Sequence, residues 1–200
     1  CLTADRVTGV WGILNGTTNY ILTRMIRGGL SFDAALAEAQ EKGYAEADPT
    51  ADIEGIDTCR KVCILASLAF GRHIFPHQVP TRGITGVTLT DVACARKAGC
   101  QIKLLGRTLE GEDGRVRAFV EPHLIREEAP LAGVEDVFNA ITVHGNMVGE
   151  VLFYGRGAGK LPTASAVVGD VVEALSRRGR GKAPDWQKGG ENATVGSDGV

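Results

Sequence analysis

The chain has 200 residues, a formal net charge of −2 and 44% hydrophobic residues, which is enough for one domain of good size. The near-neutral charge argues against a nucleic-acid-binding protein, whose binding domain is usually distinctly basic. No apolar run approaches the roughly 20 residues of a membrane-spanning helix, so the sequence predicts neither a nucleic-acid partner nor a membrane partner.

The N-terminal part of the chain predicts one strand followed by two helices. Residues 7–14 are apolar and rich in residues that favour strands. Thr17 or Thr18 is expected to cap the first helix, and Ser31 the second. Gly43 follows the second helix and is typical of the position just after a helix C terminus.

A third helix is predicted from about Asp52 to Phe70, after an acidic linker at residues 44–51. From Val62 onward its residues are apolar nearly all round, which indicates a buried helix. A loop with a short strand at 83–85 should follow. Thr90 is then expected to cap a short helix that ends near residue 99.

The remaining chain predicts a set of antiparallel strands and one more helix. The strands are joined in pairs by turns and cover residues 101–109, 115–121, 138–143 and 147–153. A glycine-rich loop at 155–159 then opens a helix that has Pro162 near its start. A run of helices followed by antiparallel strands predicts an α+β domain.

The five cysteines favour reduced thiols over a disulfide framework or a metal site. Their number is odd, and no pair has the CxxC spacing. Cys59 and Cys63 lie four residues apart on one helix face, but a metal would need two more ligands. His73 and His77 are the candidates for these. Buried reduced thiols are typical of a cytoplasmic protein, and this is the predicted localisation.

The strongest chemical signal is an acidic stretch at residues 46–57, which holds five carboxylates in twelve residues and precedes Lys61. One interpretation is an exposed linker with an ordinary ion pair between Asp57 and Lys61, four residues apart on a helix. A calcium loop is excluded, because Ile53 stands where such a loop needs glycine. A functional interpretation is also open, because a lysine that enters an apolar helix requires a partner or a task.

Two further segments have weaker signals. The glycines at 155–159 precede a helix and could present backbone N–H groups to a phosphate, but Leu161 follows Lys160 where a Walker A motif needs Ser or Thr. A tight turn without a ligand is an equal interpretation. The polar residues 15–20 before the first apolar helix are most simply explained as a helix cap.

Taken together, four ordered motifs resemble the homoserine dehydrogenase family, and the monofunctional bacterial enzymes in particular. The resemblance extends over about residues 7–175. The motifs are Gly-Ile-Leu-Asn-Gly-Thr-Thr-Asn-Tyr-Ile-Leu at 12–22, Ala-x3-Gly-Tyr-Ala-x2-Asp-Pro-x2-Asp-Ile-x-Gly-x-Asp-x3-Lys at 39–61, Ile-Lys-Leu-Leu-Gly at 102–106 and Gly-Ala-Gly-x2-Pro-Thr-Ala-Ser-Ala-Val at 157–167.

The resemblance implies a mixed, largely antiparallel sheet covered on one face by helices. It implies substrate binding and homodimerisation by residues 1–155, and a glycine loop and helix at 156–178 that pack on a nucleotide-binding domain. That domain, with most of a site for a structural monovalent cation, would precede residue 1, and this chain alone would be inactive. Residues 179–200 are expected to be a linker or disordered tail.

The implied reaction is the NAD- or NADP-dependent interconversion of L-aspartate 4-semialdehyde and L-homoserine. Lys61 would donate the proton to the aldehyde oxygen, with Asp57 as its partner, and Glu46 and Asp52 would bind the substrate's ammonium group. No protein metal ligand is implied. The other implied site residues complete the substrate pocket or approach the nicotinamide: Gly16, Thr17, Tyr44, Gly155, Gly157, Ala158 and Gly159.

Two alternatives stay open from the sequence. The first is a dehydrogenase for another small amino acid or semialdehyde, against which Glu46, Asp52 and Lys61 argue by occurring together. The second is a non-catalytic amino-acid-binding or dimerisation module. The choice between NAD and NADP depends on ribose-binding residues outside this chain.

Overall fold

The computed structural model describes residues 2–176, so Cys1 and the predicted tail at 179–200 lie outside it. The helices are α1 (Gly16–Gly28), α2 (Phe32–Glu41), α3 (Thr50–Ile53), α4 (Ile56–Phe70), α5 (Leu89–Lys97) and α6 (Lys160–Ser176). The strands are β1 (Val7–Ile13), β2 (Cys100–Glu110), β3 (Val116–Arg126), β4 (Phe138–Gly145) and β5 (Gly149–Arg156). Single 3-10 turns lie at Pro76–Gln78 and Pro130–Gly133.

The five strands form one sheet in the order β3-β2-β1-β4-β5. Every neighbouring pair of these strands is antiparallel, because β2–β3 and β4–β5 are hairpins with short turns and β1 lies between them. The predicted α+β class is therefore confirmed. The largely antiparallel sheet that the resemblance implied is also confirmed. Among the described residues, the parallel pairing is an isolated bridge between Thr81 and Val120, outside the five strands.

The main core lies between the sheet and the helices α1, α4 and α5. Leu14 and Leu104 project from the sheet into it, and Ile21 and Val62 project from the helices. A smaller apolar cluster lies on the opposite face, where Leu131 and its neighbours from the segment between β3 and β4 cover one end of the sheet. The helices therefore cover one face of the sheet, as the resemblance implied.

The predicted third helix is wrong in two respects. It is interrupted at Gly55, which has φ of 79°, a left-handed conformation that side chains disfavour, so α3 ends and α4 begins in a new direction. Its second half is also not buried all round, since Ile64 and Leu68 are 56% and 59% exposed. Only one side of α4 packs on β2 and β3, because a helix on a single sheet face is covered on that side alone.

Two predicted caps are wrong and one is confirmed. Asn15 caps α1 by accepting a hydrogen bond of 2.9 Å from the N–H of Thr18. Thr88, not Thr90, caps α5, in a reciprocal pair with Asp91. Ser31 caps α2 as predicted. In each case the residue in extended conformation just before the first turn has the side chain that reaches the free N–H groups.

The predicted strands at 101–153 are confirmed and longer than expected, whereas residues 83–85 do not form a strand. The final helix begins at Lys160, which places Pro162 third in its first turn rather than first. The edge strand β5 is exposed along most of its length, and α6 has no buried residue. No helix within residues 2–176 is both long and apolar enough to cross a membrane.

Candidate active site

A cavity of about 510 Å³ lies where the start of α1, the α3–α4 region and the loop after β5 meet. Five separate parts of the sequence form its wall, because residues 42–44 and 137–139 also contribute. Its lining residues are Asn15, Gly16, Thr17, Lys42, Gly43, Tyr44, Asp52, Asp57, Lys61, Val137, Asn139, Arg156, Gly157, Ala158 and Gly159.

Asn15 links the start of α1 to the two acidic residues of the cavity. Its side-chain amide donates hydrogen bonds of 2.7 Å to Asp52 and 2.9 Å to Asp57. Its amide oxygen meanwhile accepts from the N–H of Thr18 as the helix cap. Because Asn15 is 6% exposed, its position is fixed by packing, and it holds two carboxylates from different helices next to each other.

Lys61 lies one turn after Asp57 on α4, and its ammonium nitrogen is 2.7 Å from the Asp57 carboxylate. The same ammonium donates a 2.8 Å hydrogen bond to the carbonyl oxygen of Leu14, at the end of β1. The sequence suggested that this lysine enters a buried helix. That is wrong: α4 is amphipathic, and the Lys61 side chain is 45% exposed and faces the cavity. It is nevertheless oriented by two acceptors from different elements.

Tyr44 and Thr17 form a second part of the wall. The Thr17 hydroxyl donates a 2.8 Å hydrogen bond to the carbonyl oxygen of Tyr44, and the Tyr44 ring packs edge-on against Tyr20 at a centroid distance of 4.9 Å. This wall is supported from behind by Glu38, which accepts from Lys42 and from the Tyr20 hydroxyl. Those hydrogen bonds lower the pKa of Glu38 to about 2, so it is ionised at neutral pH.

The opposite wall comes from β4 and from the loop between β5 and α6. The Arg156 guanidinium lies 4.9 Å from the ring centroid of Phe138, which also stacks on Tyr154. A side chain at Gly157 would lie 2.4 Å from the amide nitrogen of Asn139, so the Asn139 side chain would have to shift to accommodate it. Residues 157–159 are exposed and line the cavity.

Most of the residues that the sequence singled out meet in this cavity. Gly16, Thr17, Tyr44, Asp52, Asp57, Lys61, Gly157, Ala158 and Gly159 all line it. Glu46 and Gly155 are exposed and are not among the lining residues. Their predicted roles in binding the substrate ammonium and the cofactor stay predictions.

Sequence reasoning missed six residues of the lining: Asn15, Lys42, Gly43, Val137, Asn139 and Arg156. The sequence could have indicated Asn15 as a helix cap, because asparagine is a strong cap before an apolar helix. Its hydrogen bonds to Asp52 and Asp57 have no counterpart in the local sequence. The sequence shows no feature that brings residues 137–139 to α1. That proximity depends on the pairing of β4 with β1.

Metal ligands are absent from the part of the chain that the structure describes: no group of three or more His, Cys, Asp or Glu side chains could hold an ion there. Cys59 and Cys63 are buried free thiols. The structural monovalent cation that the resemblance implies for the longer enzyme stays a prediction.

The comparisons with known proteins agree in direction. The homoserine dehydrogenase family model matches residues 1–172. The homoserine dehydrogenase of Synechocystis is 49% identical over 177 residues, which make up 87% of this chain and 41% of that protein. The crystal structure of the Thiobacillus denitrificans homoserine dehydrogenase superposes with a TM-score of 0.91 at 42% identity, covering 97% of this chain and 46% of that one.

A structural relative of lower sequence identity was solved with a bound cofactor. A hyperthermophilic archaeal homoserine dehydrogenase in complex with NADPH matches with a TM-score of 0.74 at 29% identity, over 93% of this chain and 51% of that chain. The chain spans about two fifths of the length of the curated relatives it matches. Since the family model extends over nearly all of its described residues, this chain belongs to the homoserine dehydrogenase family.

Proposed function

We propose that this chain is the substrate-binding and catalytic part of an enzyme that interconverts L-homoserine and L-aspartate 4-semialdehyde with NAD or NADP. The observation that carries the proposal is the Lys61–Asp57 ion pair, which faces a cavity that also contains Asp52. A cation that can release a proton, next to carboxylates, suits a substrate with both a hydroxyl and an ammonium group.

Lys61 is the proposed general acid. Reduction of an aldehyde develops negative charge on its oxygen, which requires a proton and a nearby positive charge. The Lys61 ammonium supplies both, and in the reverse direction the neutral amine accepts the hydroxyl proton. Asp57, at 2.7 Å, and the Leu14 carbonyl oxygen, at 2.8 Å, hold the ammonium in place.

Asp52 is the proposed partner of the substrate's ammonium group, with Glu46 contributing from outside the present lining. Because Asn15 already fixes Asp52 by a 2.7 Å hydrogen bond, a substrate ammonium meets a carboxylate whose orientation is set before binding. Gly16, Thr17 and Tyr44 complete this side of the pocket.

The nicotinamide, when bound, supplies or accepts the hydride. Gly157, Ala158 and Gly159 are the residues of this chain proposed to lie against it, since they line the same cavity as Lys61. Arg156, on the same side, offers a guanidinium that can bind a carboxylate or a phosphate. The NADPH complex of the archaeal relative supports a nicotinamide nucleotide here.

The test is an assay of the complete polypeptide that carries this chain. Homoserine-dependent reduction of NAD⁺ and NADP⁺ should be measured beside 4-hydroxybutyrate, which has the hydroxyl and carboxylate but no ammonium group. Turnover of homoserine with little turnover of 4-hydroxybutyrate is expected. If homoserine binds but neither homoserine nor 4-hydroxybutyrate is turned over, a non-catalytic amino-acid-binding module is favoured. If another hydroxyl-bearing amino acid is turned over faster than homoserine, the related dehydrogenase is favoured. Residues 1–200 alone are expected to be inactive.

We further propose that the complete enzyme is a homodimer paired through this sheet. Leu152, Phe153 and Tyr154 of the edge strand β5 are 37%, 45% and 57% exposed, and an exposed apolar edge strand is a liability unless it is covered. Light scattering at micromolar concentration should give twice the monomer mass. Phe153→Lys should reduce that mass, and a monomeric wild-type enzyme would exclude the proposal.

The helix α6 is proposed to pack on the nucleotide-binding part of the enzyme. Val167, Val171 and Val172 are all more than half exposed, although a helix with this many apolar residues normally has a covered face. Hydrogen exchange of residues 160–176 should be slower in the complete polypeptide than in residues 1–200 alone. The four described cysteines are free thiols, which supports a cytoplasmic location that cell fractionation can test.

A further inference from the structure

Lys103 is a fully buried lysine for which the proposed reaction gives no role. It lies in β2 on the sheet face opposite the main core, with 0% of its surface exposed. Its ammonium donates hydrogen bonds of 2.6 Å to the carbonyl oxygen of Val134 and 3.3 Å to the side-chain oxygen of Asn19. Both acceptors are neutral, so burial lowers the pKa of Lys103 to about 8. Such a costly placement requires an explanation.

The hydrogen bonds of Lys103 belong to a larger arrangement that holds residues 134–138 against α1. The Asn19 amide nitrogen lies 3.1, 3.0 and 3.2 Å from the carbonyl oxygens of Val134, Asp136 and Phe138. One turn later, the Thr23 hydroxyl oxygen accepts a 3.1 Å hydrogen bond from the N–H of Asp136. The segment is thus bound mainly through its backbone, which fixes its path rather than its side chains.

An ion pair adds a further contact between α1 and residues 134–138. Arg27, two turns after Asn19 and one after Thr23, pairs with Glu135. Asn19, Thr23 and Arg27 are spaced four residues apart, so they lie along one side of α1. Lys103 extends from the sheet to Asn19, the first of these three residues, and bonds both Asn19 of α1 and Val134 of the segment.

The segment would not keep this path without such support. Asp136 has φ of 55°, a left-handed conformation that costs free energy in any residue with a side chain. Asp136 is itself exposed, so apolar packing does not hold it there. The backbone bonds from Asn19 and Thr23 are the contacts that maintain the conformation.

The path of this segment determines one wall of the cavity. The carbonyl oxygen of Val137 is so close to Gly16 that a side-chain carbon at Gly16 would lie 2.9 Å from it. Val137 and Asn139 both line the cavity, and Asn139 lies against Gly157. A shift of residues 134–138 would therefore move the wall beside Gly16 and the support of the 157–159 loop together.

We propose that Lys103 is a positioning residue for the active site: by bonding Val134 and Asn19 it holds residues 134–138 in the path that places Val137 and Asn139 in the cavity wall. The expected change in KM rests on the proposed function, whereas the role of Lys103 in holding residues 134–138 does not depend on it. An ammonium suits this task because it has three donors and can bond a backbone oxygen and a side-chain oxygen at once.

The alternative is that Lys103 only stabilises the fold. The two interpretations separate on Lys103→Met in the complete polypeptide, compared with Val116→Ala. Val116 is 1% exposed in β3, packs in the main core and pairs with Glu110 at the other end of β2 from Lys103, so its truncation should destabilise the fold without altering the cavity wall. The two variants should be compared at equal distance below their melting temperatures.

We expect Lys103→Met to raise the KM for homoserine at least about fivefold, and Val116→Ala to leave it within about twofold, because only the former frees the wall beside Gly16. Equal KM values in the two variants would overturn the proposal. Thr23→Val serves if Lys103→Met does not fold, and it should raise the KM in the same direction. It removes the bond from the Asp136 N–H and the bond from the Thr23 hydroxyl to the Asn19 carbonyl oxygen within α1, and it leaves both Lys103 bonds in place.

Hydrogen exchange provides a readout that does not depend on activity. The amides of residues 134–139 should exchange at least about tenfold faster in Lys103→Met, or in Thr23→Val, than in Val116→Ala. Unchanged exchange in this segment would overturn the inference even if the enzyme is active. If exchange is accelerated in these variants but the complete wild-type polypeptide does not turn over homoserine, Lys103 is supported as the positioning residue and the proposed function is contradicted.

Discussion

The side-chain amide of Asn15 donates a 2.9 Å hydrogen bond to the carboxylate of Asp57, although the two residues are 42 positions apart in the chain. Asn15 belongs to the turn between β1 and α1, whereas Asp57 begins α4. This bond joins the cap of one helix to the ion pair of another, Asp57–Lys61, for which we propose the catalytic role. The geometry of Asp57 and Lys61 therefore depends on where β1 ends.

Replacement of Asn15 should separate its two tasks. Asn15→Ser retains a good helix cap but removes the bonds to Asp52 and Asp57. Since hydrogen bonds to charged groups contribute about 1.5–3 kcal/mol each, we expect kcat/KM for homoserine to fall about tenfold or more while the melting temperature changes little. Ser31→Asn, a cap exchange on α2 away from the cavity, is the control. A drop in kcat/KM in both variants would assign the effect to helix capping.

Lys61→Arg should test proton transfer directly. The change keeps the positive charge and the ion pair with Asp57, but a guanidinium does not readily release a proton. We expect kcat to fall about 10²-fold or more, in line with general-acid contributions, with the melting temperature and cofactor Kd nearly unchanged. Arg60→Lys, one position earlier on the exposed side of α4, should be neutral. Near-normal turnover in Lys61→Arg would leave Lys61 as a helix anchor.

The two glycines at the end of β5 form a matched pair. A methyl group at Gly157 would displace the Asn139 amide, whereas one at Gly155 has no atom within 4 Å. Gly157→Ala should therefore raise the KM for NAD⁺ or NADP⁺ about fivefold or more, and Gly155→Ala should not. Steady-state kinetics with varied cofactor measures both. If Gly155→Ala has the larger effect, the predicted cofactor role of Gly155 stands and the geometric argument fails.

The carboxylates should affect substrate binding more than cofactor binding. Asp52 lines the cavity, and its change to Asn should raise the KM for homoserine about tenfold or more, since a charged partner of the ammonium is lost. Glu46→Ala is predicted to act likewise, which requires residues 44–48 to move toward the cavity when homoserine binds. An unchanged KM in Glu46→Ala would leave Asp52 alone in that role.

Lys103 gives a prediction for the pH dependence of stability. Its pKa is about 8 in the folded chain and 10.5 for an ordinary lysine, so between these values the unfolded chain binds the extra proton. The free energy of unfolding therefore rises with pH through this window, and falls as pH drops toward 8. Denaturant unfolding of the wild type and Lys103→Met from pH 7 to 10 should show this rise in the wild type only. Parallel curves would mean that Lys103 keeps an ordinary pKa.

Local sequence patterns predicted the helices and strands of this fold well, but they predicted the ends of these elements and the breaks between them less well. Alternation and turn residues located the strands from 101 to 153, because a strand's signal lies within its own few residues. The break at Gly55 was not predicted, since a glycine in a helical pattern is compatible with both a continuous helix and a left-handed turn. The structure shows the left-handed turn, with φ of 79° at Gly55, where a side chain would also lie 3.2 Å from Val120.

The sequence by itself determined that the ionisable groups of the cavity lie close together, because Asp52, Asp57 and Lys61 lie within ten residues and two of them share a helix face. The tertiary structure alone decided what surrounds them. Asn139 enters the cavity because β4 pairs with β1, a contact between residues more than 120 positions apart. Hydrogen bonds and packing between distant segments leave no mark on local composition. The walls of the cavity and the burial of Lys103 therefore became visible only in the fold.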